Sequence, residues 1–261
     1  MSVVVVRAPG QVLPQLGPAV EIVADPREGR GPMQGLAAGL GALNGRAQAA
    51  HVSATDVPLL HPAFVARVLG AFTDDVDVVL PRVGGHRQTL AAGYRVQLAE
   101  LAEDLVAAGR LNPGFLFERC RVLSLQEADL TADAAIARGD PRLDSVRGLN
   151  DPADYERARE LPAPEVAVVC DDMLAPGPAA VPATLRAWSL GEAASRLGIS
   201  LDAGAVATVN DGHATRDPHE PLIAGDVVRF AAGAEPGRGD VVECPGQGQT
   251  EGEGSRWPNQ S

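Results

Sequence analysis

Apolar positions along the chain follow two alternating periods. Short runs rich in β-branched residues, Val3-Val4-Val5-Val6 and Glu21-Ile22-Val23-Ala24, read as buried strands closed by Pro9-Gly10 and Asp25-Pro26. Met33, Leu36, Leu40 and Leu43 then recur at helical spacing, after a stretch holding Gly29, Gly31 and Pro32. Residues 49–54 read as a strand, 62–72 as a helix opened by Pro62, and 76–80 as a further strand. Gln88 to Tyr94 is extended and leads into a helix over 96–108, and Val122 to Leu125 is a late strand. Residues 126–142 are acidic and Ala-rich, and no order is expected of them. Asn150-Asp151-Pro152 caps a helix running to about Arg159. Strands alternating with helices indicate an α/β domain whose mostly parallel sheet is covered on both faces.

Leu161-Pro162-Ala163-Pro164 is the clearest linker. Beyond it, 166–170, 206–209 and 227–230 read as strands and 190–197 as an amphipathic helix. From Glu235 onward Gly, Pro, Gln, Glu and Ser dominate, the composition of a disordered tail. The expected organisation is therefore a domain over 1–160, a linker over 161–164, a small domain over 165–234 and a tail over 235–261.

The net charge of -12 argues against nucleic-acid or anionic-membrane partners. Every one of the 22 basic residues is Arg, so no Lys can reach a phosphate. Cys120, Cys170 and Cys244 are widely spaced, with neither metal-site nor redox-motif spacing. The five His residues form no HxH or HExxH pattern. No basic leader precedes the apolar N-terminus and no segment has the apolar length of a membrane span, so a soluble cytoplasmic protein is expected.

Candidate chemistry starts at Ser53 to Leu60, where an apolar run ends in Asp56-Val57-Pro58-Leu59-Leu60. A buried strand of this kind delivers a carboxylate to its C-terminal edge, where open α/β sheets keep their ligands. Asp56 reads either as a hard oxygen ligand for a metal or as a helix N-cap before Pro58. Asp25 in Asp25-Pro26 is by itself a turn initiator. Gly35 and Gly39, at i and i+4, let a helix pack closely on the sheet. His86-Arg87-Gln88 reads as an exposed polar loop, and Asn150 as an N-cap.

In order along residues 1–160, these segments resemble the motifs of the molybdenum cofactor guanylyltransferase family. Asp25 with Gly31-Pro32-Met33-Gln34-Gly35-Leu36 matches its acidic residue and Gly-Pro-x-x-Gly-Leu, and Ser53 to Leu60 matches its Asp-x-Pro-Leu-Leu. His86 to Tyr94 matches its Gln-Pro-Leu-x-Ala-x-Tyr with Thr89 in place of proline, and Leu149 to Asp154 matches its closing segment with Asp151 in place of threonine. The resemblance implies a Rossmann-like nucleotidyltransferase that transfers GMP from GTP to molybdopterin with Mg²⁺. It implies Asp56 at the metal and the reacting centre, Asp25, Gly31, Pro32 and Gly35 at the nucleotide, and Gln88 and Asn150 toward the pterin. The family's opening strand and its loop, Leu-Ala-Gly-Gly-x-Ser-x-Arg-Met-Gly-x-Asp-Lys, have no match here. A domain lacking that strand and loop is expected, and no turnover of GTP and molybdopterin by the chain as it stands. A non-catalytic pterin- or partner-binding protein of the same pathway, and another nucleotidyltransferase of the same fold such as a cytidylyl transferase, stay open.

Residues 165–234 resemble the ubiquitin-like sulfur-carrier subunit of molybdopterin synthase. The matching pieces are Leu190-Gly191-Glu192-Ala193, Val206 to Asn210, and Pro221 to Phe230, in which Val227 and Phe230 are expected to be buried. The resemblance implies a β-grasp fold and, as partners, the large subunit of the synthase or its activating enzyme. Sulfur carriage needs a Gly at the chain terminus, which a tail to Ser261 precludes unless it is trimmed.

Overall fold

The computed structural model describes residues 2–26, 29–171, 174, 183–201, 205–210 and 212–232, so the expectation for the tail over 235–261 lies outside the described residues. The chain passes through β1 (Val3–Arg7), β2 (Val20–Ala24), α1 (Pro32–Ala42), β3 (Ala49–Ser53), α2 (Pro62–Leu69), β4 (Val78–Val83) and β5 (His86–Arg87). It continues through β6 (Ala91–Arg95), α3 (Leu98–Ala107), α4 (Gly114–Phe117), β7 (Val122–Gln126), α5 (Glu127–Thr131), α6 (Ala134–Gly139) and α7 (Pro152–Arg159). A second series holds β8 (Glu165–Cys170), β9 (Ala183–Arg186), α8 (Leu190–Arg196), β10 (Ala205–Val209), β11 (Ala214–Thr215) and β12 (Val227–Ala232). No helix among the described residues is long and apolar enough to cross a membrane.

The first series is mixed α/β. β1 and β2 pair in parallel as a two-stranded sheet, and β7 lies parallel to β4. The other pairings, β3 with β6, β6 with β4 and β4 with β5, are antiparallel, so the strands are more mixed than a mostly parallel sheet. The cause is local. Gly84 and Gly85 both have positive φ, 59° and 76°, and close a two-residue hairpin between Val83 and His86. That conformation matches strand twist and sends the chain straight back, so β6 enters antiparallel between β3 and β4.

Successive side chains of β4 go to opposite faces. Val78 and Leu80 join Met33, Leu36 and Leu40 of α1 and Ala102 and Leu105 of α3; Val79 joins Phe64 and Val68 of α2, with Leu125, Leu130 and Ile136. The helical spacing seen from Met33 to Leu43 is the buried face of α1. Each such side chain contributes about 1.5–3 kcal/mol relative to exposure. Residues 126–142 depart from expectation, because their acidic groups start helices. Gln126 and Asp129 form a capping box on α5, and Asp133 accepts from the backbone N–H groups of Ala135 and Ile136 on α6. The caps orient Leu130 and Ile136, both fully buried.

The second series forms its own sheet in the order β11-β10-β12-β8-β9, with β12 and β8 parallel and the other neighbours antiparallel. Leu190, Ala193 and Ala194 of α8 pack on Val166, Val168, Val228 and Phe230. Val228, rather than Val227, shares the buried face with Phe230, as a strand's two-residue period requires.

Candidate functional site

Asp56 follows the end of β3, where Ser53 pairs with Ala91 and the Ala54 N–H donates to Leu90 O at 2.9 Å. A second segment, 145–150, runs beside the loop from Asp56 to His61. Leu149 N–H donates to Asp56 O at 2.8 Å, and His61 N–H donates to Ser145 Oγ at 2.8 Å, so the loop is tied at both ends. Ser145 is fully buried, and the nearby Asp140 carboxylate accepts from the Asp144 and Ser145 N–H groups at 2.6 and 3.2 Å.

Between the two ties lies Gly148. A methyl group there would stand 3.1 Å from Asn150 Nδ2 and 3.3 Å from Asp56 Oδ2. The missing side chain is what lets Asp56 and Asn150 converge. Asp56 is exposed, and its carboxylate makes no hydrogen bond or ion pair among the described residues. Its N-cap reading is replaced: His61 caps α2, with Nδ1 accepting from Ala63 N–H at 3.1 Å. The N-cap reading of Asn150 is replaced too. Asp151 caps α7, its carboxylate accepting from Asp154 N–H at 2.7 Å, and Asn150 contributes only its backbone N–H, to Asp154 Oδ2. The α7 cap spares the Asn150 carboxamide.

Gln88 lies at the same sheet edge, two residues before Leu90. Its side-chain amide donates to Val83 O at 3.3 Å across the hairpin, so part of its hydrogen-bonding capacity is internal. Asp25 is held at the start of α1. Its backbone N–H donates to Arg7 O at 2.7 Å, and its carboxylate accepts from the side-chain amide of Gln34, a residue only 4% exposed. Gly31 precedes the helix at φ 68°, a conformation glycine adopts without strain, and Pro32 opens it. Of the two glycines read as packing positions, Gly39 fits, since a methyl there would lie 3.2 Å from Val6 Cγ2; Gly35 has open space instead. A cleft of about 240 Å³ beside this group is lined by Pro26, Gln34, Ala37, Ala38, Glu103 and Val106. A larger cleft, about 340 Å³, lies at the opposite ends of β3 and β4, among Asn44, Gln48, Asp74, Asp77 and Arg95, away from Asp56.

Sequence reasoning missed Gly148, Ser145 and His61, whose roles come from a long-range approach that no local pattern announces. It also passed over His51 of β3, set edge-on to Phe64 with its Nε2 buried and unpartnered. Burial pushes the His51 pKa down from 6.5 to about 4.

No group of three or more His, Cys, Asp or Glu among the described residues is arranged to hold a metal. A hard divalent cation is nonetheless compatible with this edge. Mg²⁺ commonly takes one or two carboxylates, keeping its other positions for water and substrate phosphates, and Asp56 is an uncommitted carboxylate next to the Asn150 carboxamide.

Residues 1–120 match the model of the MobA-like NTP transferase domain. More particularly, the chain is similar to the probable molybdenum cofactor guanylyltransferase of Mycobacterium avium, 38% identical over 107 residues, which are 40% of this chain and 53% of that protein. It is 29% identical over 146 residues to the molybdenum cofactor guanylyltransferase of Desulfosudis oleivorans, covering 56% of this chain and 68% of that one. The chain thus spans about half the length of its mycobacterial relative. Among solved structures, molybdopterin-guanine dinucleotide biosynthesis protein A from Archaeoglobus fulgidus aligns over 54% of this chain and 67% of its own, with 24% identity and a TM-score of 0.45.

Proposed function

We propose that the chain serves molybdenum cofactor biosynthesis through a site of the nucleotidyltransferase kind, one that in a complete enzyme moves GMP from GTP to molybdopterin. The observation that carries this reading is the approach of Asp56 and Asn150 over Gly148. In such a transfer a phosphate oxygen attacks the α-phosphorus, pyrophosphate leaves, and charge gathers on the oxygens. Mg²⁺, when bound, would neutralise that charge. Asp56 would hold it, and Asn150 and Gln88 would face the pterin. Asp25, oriented by Gln34, would meet the nucleotide together with the backbone at Gly31, Pro32 and Gly35.

For residues 165–232 the proposal is a β-grasp unit. Numbered within the unit, its strand order is 4-3-5-1-2, with the first and last strands central and parallel and one helix between the second and third. That arrangement supports kinship with the sulfur-carrier subunit of molybdopterin synthase, whose large subunit or activating enzyme would be the partner. Gly233 and all that follows lie outside the described residues.

Calorimetric titration with GTP tests the first proposal. Binding is expected to require Mg²⁺ and to weaken at least about tenfold, 1.4 kcal/mol, in Asp56→Asn. Mg²⁺-independent binding, or an unchanged Asp56→Asn, would overturn the metal assignment, and tighter binding of CTP would overturn the guanine assignment. Pyrophosphate release with both substrates then separates transfer from binding alone.

A further inference from the structure

The second unit meets the first at a turn. Asp226 N–H donates to Ile223 O at 3.2 Å and Gly225 has φ 87°, the features of a type II turn over Ile223-Ala224-Gly225-Asp226. The turn is fixed from within. The buried Asp226 carboxylate accepts from Ile223 N–H at 2.8 Å and from Asn210 Nδ2 at 2.6 Å, and Gly225 N–H donates to Glu165 O at 3.0 Å. The partner of the Ala224 carbonyl lies in the other unit: His61 Nε2, 2.9 Å away.

His61 is equally constrained. Its Nδ1 accepts from Ala63 N–H as the cap of α2, so the neutral ring carries its proton on Nε2 and is a donor where it meets Ala224. Its backbone N–H is held by Ser145. Its ring lies flat against Gly139, where a methyl group would come within 2.5 Å of Cε1 and Nε2. Two preformed surfaces meet at one directed hydrogen bond, so docking orders few side chains. His61 is also the last residue of the loop that begins at Asp56.

We propose that the Ile223–Asp226 turn docks on the wall formed by His61 and Gly139, with His61 Nε2–H donating to Ala224 O as its anchor. The two units then tumble as one body, and the second is held against the loop that presents Asp56. Displacement of that loop by a ligand is felt at Ala224, and docking reciprocally biases the loop. The inference goes beyond the proposed chemistry and does not depend on it.

The test is ¹⁵N relaxation on the full chain with two variants. His61→Asn keeps an N-cap acceptor but cannot reach Ala224; Gly139→Ala keeps both hydrogen-bonding groups and forces the ring aside. In the unsubstituted protein, amides of 3–159 and 165–232 should share one rotational correlation time. In either variant the common value should be lost, the smaller unit tumbling faster, and the Gly225 amide, which shares a peptide with the Ala224 carbonyl, should shift. If His61→Asn proves unfolded, Gly139→Ala carries the test. Separate correlation times in the unsubstituted chain overturn the docking. A common value with an unmoved Gly225 amide in both variants overturns the anchor.

Discussion

Asp25 and Asp56 begin from the same local grammar and end in opposite states. Each follows a short apolar strand, β2 or β3, and each has a proline within two residues. Asp25 is met by the next helix, α1, which brings the buried amide of Gln34 onto its carboxylate. Asp56 is met by the 145–150 segment, which sets Gly148 against it and so leaves room for the Asn150 carboxamide beside it without a hydrogen bond between them. Whether a strand-end carboxylate becomes structural or stays available is decided by what the chain later lays against it, and the strand has no say in that.

Acid should separate the two regions first and by the largest amount. β3 carries His51, whose folded pKa of about 4 lies below the 6.5 of the unfolded chain. Between those values the unfolded state binds a proton that the folded state refuses, so stability is full above pH 6.5 and falls as pH drops toward 4. The loss is up to about 3 kcal/mol. Urea unfolding at pH 7 and pH 4 measures it, and His51→Leu should flatten most of the difference. An equal pH slope in the variant would show that carboxylates, not His51, set the acid response.

Much of this fold is legible in the sequence because its signals are local. The Met33 to Leu43 spacing is the buried face of α1, Pro62 and Pro152 open α2 and α7, and Pro162 and Pro164 fall between the two strand–helix series. Antiparallel entry of β6 is less legible, because it depends on two glycines, Gly84 and Gly85, whose hairpin outweighs the alternation around it. The acidic stretch after Gln126 misleads because composition does not distinguish a solvated carboxylate from a capping one. The site divides the same way. Asp56 is visible from its strand, whereas Gly148 matters only through a side chain it lacks, next to a residue far away in the chain.

Removing the carboxylates sharpens the comparison at the next level. Asp25→Ala removes the hydrogen bond that the buried Gln34 amide gives to a carboxylate, worth about 1.5–3 kcal/mol. Asp56→Ala removes an exposed group with no partner among the described residues, so its unfolding free energy should stay within about 0.5 kcal/mol of the parent. On the proposed function, Asp56→Ala loses Mg²⁺-dependent GTP binding all the same. Paired chemical denaturation and titration read both quantities. Equal destabilisation by the two substitutions would end the contrast.

Gly148→Ala addresses the space itself. Its methyl must push aside Asn150 Nδ2 and Asp56 Oδ2, yet both belong to side chains that can swing toward solvent. The fold should therefore hold, or gain up to about 1 kcal/mol as the unfolded chain loses freedom. Mg²⁺-dependent nucleotide binding should weaken several-fold, roughly 1 kcal/mol. Unchanged binding would mean that the convergence of Asp56 and Asn150 is incidental.

The smallest expected effect is the most discriminating. Asn150 and Asp151 are adjacent, and either residue type makes a good helix start, but only the Asp151 carboxylate receives the Asp154 N–H. Asp151→Ala should therefore cost about 1 kcal/mol, the ordinary price of a lost cap. Asn150→Ala should change stability by no more than about 0.5 kcal/mol, since the backbone N–H it gives to Asp154 survives the substitution. If Asn150→Ala costs as much as Asp151→Ala, the carboxamide is a structural group and the pterin-facing role proposed for it fails. If it is silent in stability but weakens molybdopterin binding measured by titration calorimetry, Asn150 stands with Asp56 on the available side of the comparison and Asp151 with Asp25 on the committed side.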